Sequence, residues 1–144
     1  MRRAFIFLFA LLAFTTSRGK GTRPGDSCYL IIYRSGKFSG SLENFTIWVD
    51  NVRLCKLSNG RYFKVGVTPG KHILTAKLGG VGIAKKQTEL PVDCSAGQPS
   101  YVSCMVKSSA LRPRLELESV PADMGSSQIS AMKVDDCQGS VQDQ

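Results

Sequence analysis

The chain has 144 residues, a formal net charge of +8 and five cysteines. That length suits one domain with one sizeable core and argues against a multidomain assembly. Charge is uneven: residues 18–114 carry 16 Lys/Arg against 5 Asp/Glu, whereas residues 115–144 carry 1 against 6. Such a basic body either attracts phosphate-rich, anionic-lipid or acidic-polysaccharide partners, or is a solvated surface partly neutralised by its own acidic end.

Residues 1–17 read as a secretory signal peptide. Arg2 and Arg3 form the positive start, Ala4 through Phe14 is an unbroken apolar run, and Thr15-Thr16-Ser17 supplies small residues for cleavage. As a helix that run covers about 16 Å against roughly 30 Å of hydrocarbon, so no span is expected after cleavage. A signal-anchored form is the alternative, with Arg18 and Lys20 as its flank. The first cysteine, Cys28, is too far from the run for a lipoprotein signal. Residues 18–27 are a flexible basic linker.

From Cys28 the pattern is that of strands. Cys28–Arg34 is a nearly continuous apolar run, as in a strand buried on both faces. In Phe45–Asp50 the residues Phe45, Ile47 and Val49 share one side. Asp50-Asn51 supplies a two-residue turn into Val52–Leu57, because both residue types tolerate positive φ. Asn59-Gly60 repeats the device before Arg61–Val67. Thr68-Pro69-Gly70 is a further turn, leading to Lys71–Lys77 with His72, Leu74 and Ala76 on one face. Gln87–Asp93 contains Pro91, which points to an edge position. Tyr101–Lys107 places Val102, Cys104 and Val106 on one side, and Arg114–Ser119 opposes Leu115 and Leu117 to Glu116 and Glu118.

The spacing therefore predicts the all-β class, an antiparallel β-sandwich of seven or eight strands over residues 28–133. It ends in a short helix from Pro121 to about Lys133, whose apolar stripe is Met124, Ile129 and Met132. Residues 134–144 read as an acidic disordered tail.

The five cysteines, Cys28, Cys55, Cys94, Cys104 and Cys137, fit an oxidising compartment, and their odd number leaves one without an intramolecular partner. Sequence does not choose among the pairings. If Ser95–Ser100 is a hairpin loop, Cys94 and Cys104 lie on the order of 10 Å apart, too far for a bridge without a bulge. Zinc is not expected: no C-x-x-C pair occurs, and the lone histidine, His72, has no partner at ligand spacing. No cofactor is expected either.

These residues carry a resemblance. Cys28–Arg34, Trp48-Val49-Asp50, Leu57–Phe63, Pro69-Gly70-Lys71-His72, Gly97 and Tyr101 resemble an uncharacterised domain family of secreted bacterial proteins and lipoproteins. That family is similar in turn to the PEGA and carboxypeptidase-regulatory-like domains. The resemblance spans about residues 28–133 and implies a small extracytoplasmic β-sandwich without known catalysis. Asn51 stands where the turn glycine is usual, the lipobox is missing, and cysteines are unusually many.

Catalytic patterns are sparse. A serine or cysteine triad would need His72 as its base, and the resemblance gives that position a packing or turn role. Glu116 and Glu118 lie about 7 Å apart on one face, as paired carboxylates or simply as the wet side of a strand. Gly80-Val81-Gly82 lacks the third glycine of a dinucleotide loop, and Gly66–His72 is one residue short of a phosphate loop. Asn44-Phe45-Thr46 is an N-glycosylation sequon or a chance tripeptide.

The function expected is a secreted non-catalytic module that contacts protein, envelope or matrix. One alternative is a polyanion binder using Arg61, Lys64, Lys71, Lys77, Lys85 and Lys86; another is a cryptic secreted hydrolase. Nucleic acid is not an expected partner, because export removes it and aromatics are not interleaved with the basic residues.

Overall fold

The computed structural model describes residues 27–36, 44–78, 87–107 and 114–137. The predicted signal peptide, most of the linker, Gly80-Val81-Gly82, Lys85, Lys86 and residues 138–144 lie outside the described residues. Nine strands and one helix follow in order: β1 (Cys28–Tyr33), β2 (Phe45–Val49), β3 (Val52–Leu57), β4 (Arg61–Val67), β5 (Gly70–Leu78), β6 (Gln87–Cys94), β7 (Pro99–Lys107), β8 (Arg114–Val120), α1 (Ala122–Ile129) and β9 (Lys133–Val134).

The strands form two sheets, one of five strands in the order β8-β7-β1-β4-β9 and one of four in the order β3-β2-β5-β6. Alternation along each strand sends one set of side chains into a shared core. Leu30, Ile32, Val102 and Leu115 of the larger sheet meet Ile47, Leu57, Leu74 and Ala76 of the smaller, all with no solvent exposure. Strand β1 is apolar on both faces because its other face is covered too. Ile31 and Tyr33 pack with Tyr101 beneath Ile129 and Met132, and the Tyr33 hydroxyl donates to Gln128 of α1.

Several expectations need correction. The larger sheet is mixed rather than antiparallel: β1 runs parallel to β7, and β9 parallel to β4. Asn59-Gly60 is not a hairpin turn, since β3 belongs to one sheet and β4 to the other, and the Thr68-Pro69-Gly70 turn likewise joins strands of different sheets. Ser95–Ser100 is likewise no hairpin. The chain crosses there from β6 to β7 in the facing sheet, with Gly97 at φ 74° donating its N–H to the Ser27 carbonyl at 3.1 Å. Alternation records which side of a strand is buried, but both sheets bury a side in the same core, so the pattern is blind to a change of sheet.

The helix is shorter than expected, ending at Ile129, with Pro121 in the cap position and Met124 half exposed. A strand follows where a tail was expected. Lys133 and Val134 pair with Arg61 and Tyr62, and the Asp135 N–H continues the ladder to the Tyr62 carbonyl at 2.7 Å. Asp135 is buried and accepts from the Ser58 N–H at 2.7 Å, so residues 134–137 are held in place. Pro91 does lie on an edge strand, since β6 pairs with β5 alone.

Candidate functional site

Asp50 and Asn51 take φ of 50° and 67°, so the β2–β3 turn is the positive-φ hairpin that its residue types favour. The turn points the Asp50 carboxylate across β5. One oxygen accepts the Ile73 N–H at 2.9 Å and the other meets His72 Nδ1 at 2.6 Å. His72 is 8% exposed, and its Nε2 lies 2.7 Å from the Thr68 carbonyl oxygen. Carboxylate and carbonyl are both acceptors, so the two contacts are donor bonds together only in the protonated ring, which they favour. Hydrogen bonding to Asp50, then to Thr68, raises the His72 pKa, while the same histidine lowers that of Asp50. Both ring nitrogens face protein acceptors, and neither points at a nucleophile among the described residues.

The cysteines are distributed accordingly. Cys28 of β1 is bonded to Cys94 of β6, and Cys55 of β3 to Cys137 just beyond β9. Each bond joins the two sheets, one at either edge of the four-stranded sheet. Cys104 is a free thiol, fully buried, and burial pushes its pKa far up against the opposing pull of the Arg34 guanidinium. A thiol so held is not a nucleophile. The fold brings Cys55, Cys137 and Asp135 close enough to suggest a metal site, a grouping invisible in the sequence spacing. With the two sulfurs bonded to each other, that set has no thiolate to offer.

The carboxylates Glu116 and Glu118 lie on the face of β8 away from the core, and Glu116 pairs with Lys107 at 2.8 Å. Asn44 is exposed at the entrance to β2. A groove of about 590 Å³ opens between the edges of β3 and β4, lined by Val52, Leu54, Phe63, Val65, Val134 and Cys137 among others. Its polar lining includes Arg53, Lys64, Asp135 and Asp136, and both oxygens of Asp135 already accept backbone N–H groups, from Ser58 and Cys137.

Among the described residues, the basic side chains singled out from sequence do not converge. Lys64 stacks on Tyr29 in the five-stranded sheet, at 3.7 Å from the ring centroid, and Arg61 donates to the Val134 carbonyl at 3.1 Å. Lys71 and Lys77 are on the four-stranded sheet, at opposite ends of β5. Lys77 instead joins residues that the sequence reading passed over. Thr46 is flanked by Lys56 on β3 and Lys77 on β5, while Trp48 is flanked by Arg53 and Thr75. The alternation of β2 was the available signal: Trp48 shares a side with Thr46, opposite the buried Phe45, Ile47 and Val49. Comparison with known sequence families, curated proteins and solved structures found no match.

Proposed function

We propose that this chain is an exported, non-catalytic β-sandwich module that makes contacts with protein, envelope or matrix in an oxidising compartment. The observation that carries the reading is the state of its single histidine. A hydrolytic triad needs an imidazole with one nitrogen free, and His72 has both committed to Asp50 and Thr68. The buried Cys104 thiol and two inter-sheet disulfides support the same conclusion. Disulfides of this kind persist outside the reducing cytosol, which suits the export expected from the sequence of residues 1–17. The two facing sheets and the short helix suit a β-sandwich module.

The test is a hydrolase panel of esters, peptides, phosphoesters and glycosides, applied to oxidised protein and to His72→Ala. No turnover above a buffer control is expected from either. Turnover by the parent that His72→Ala abolishes would establish an enzyme and remove the proposal.

A further inference from the structure

We infer that the solvent face of strands β3, β2 and β5 is a binding surface for an anionic polysaccharide. The inference deepens the non-catalytic reading above and rests on it. Register brings the parts together. Lys56, Thr46 and Lys77 form one row across three strands, and Arg53, Trp48 and Thr75 form the next. Neighbouring strands are about 4.8 Å apart, so the two lysines stand roughly 10 Å from each other with only a threonine between. Along β2 the indole lies about 7 Å from that threonine. Lys77 Nζ is 4.9 Å from the Trp48 ring centroid, so cation and aromatic surface are presented side by side.

The charge is one-sided. Lys56 and Lys77 are exposed, and neither is ion-paired among the described residues. The carboxylates of β6 lie at the edge of this face, where Glu89 sits across from Thr75 and accepts from Gln87, and Asp93 faces Lys71 across the β5–β6 ladder. The Lys56–Thr46–Lys77 row ends at Gln87 and carries no carboxylate, while the row of the half-buried Trp48 ends at Glu89, across from Thr75. Such a surface matches a polymer that alternates apolar ring faces with fixed anions. The C–H face of a sugar stacks on the indole while sulfate or carboxylate groups meet the lysines. Phosphate and base would meet the same groups in a nucleic acid. The two disulfides favour the polysaccharide, because they suit an oxidising exterior, where nucleic acid is not a regular partner.

The experiment uses the oxidised protein with soluble heparin as probe, and with uncharged dextran and single-stranded DNA as comparators, across a salt series. Heparin binding is expected to weaken steeply with salt, with no binding to dextran. Replacing both lysines (K56A/K77A) should lower heparin affinity about 10-fold at low salt and flatten the salt dependence by about two released counterions. Trp48→Ala should lower affinity while leaving the salt slope unchanged. The charge-matched control K64A/K133A, on the other sheet, should bind like the parent. Equal losses in the control, tighter binding to DNA than to heparin, or no binding by the parent would each overturn the assignment. None of those outcomes touches the non-catalytic reading, which the hydrolase panel tests separately.

Discussion

The Asp50 carboxylate closes on the His72 imidazole at 2.6 Å, and this contact ties the β2–β3 turn to the crossover between β4 and β5. The turn projects the carboxylate, and the Thr68 carbonyl holds the far side of the ring at 2.7 Å. A ring held in this position is structural, and its consequences for stability depend on pH.

His72 has a pKa raised above 6.5, so its contribution is complete below that value and fades as pH rises through the folded-state value. Asp50 has a pKa lowered from 3.8, so its contribution is complete above that value and fades as pH falls through the folded-state value. The pair therefore stabilises most between about pH 4 and 6.5. The difference in Tm between the parent and His72→Gln should be largest in that window and shrink on both sides. A difference independent of pH would show that the ring acts by packing alone.

The two disulfides should contribute unequally to local and global stability. They span 66 and 82 residues of sequence, and loops of that size stabilise by roughly 2–5 kcal/mol through restriction of the unfolded chain. Removing Cys55–Cys137 as the double serine variant should lower the denaturation midpoint. It should also speed hydrogen exchange at the Ser58 and Asp135 amides, whose bonds hold the last described segment in place. Loss of Cys28–Cys94 should lower the midpoint without that local signature.

Cys104 offers a direct readout of cooperative unfolding. Its thiol is fully buried, with a pKa pushed up by burial, so iodoacetamide should not modify it in the native protein. In denaturant the oxidised chain should take up one label, and after reduction five, in line with two bonds and one free cysteine. Rapid native labelling would mean that the β7 face opens locally.

How far the fold was legible depends on the range of the interaction. Buried faces and the Asp50-Asn51 turn were readable, because alternation and positive φ are properties of a few adjacent residues. The edge position of β6 was readable from Pro91 for the same reason. Sheet membership was not. Whether β4 pairs with β3 or with β1 depends on partners far away in sequence, and a short turn suits either outcome. The Cys28–Cys94 bond follows from that same crossing, which a hairpin at Ser95–Ser100 would not produce. The Lys56–Thr46–Lys77 row was hidden likewise, since its members come from three strands and only register aligns them.

Gly125 is a case in which local propensity and tertiary contact oppose each other. Glycine within a helix costs up to about 1 kcal/mol relative to alanine, which on sequence grounds weakens α1. In the fold Gly125 is the buried residue of that helix, and a Cβ on it would run into the Tyr101 ring. The ring is itself packed with Ile31 and Tyr33, so it has little freedom to withdraw. Overpacking of this kind costs about 1–3 kcal/mol, more than the propensity gain. Gly125→Ala should therefore destabilise the protein in urea titration, and Gly125→Ala combined with Tyr101→Ala should be less unstable than the sum of the two single changes. A more stable Gly125→Ala variant would show that α1 can lift from the sheet at little cost, and that the close approach of helix and β7 is not required by the core.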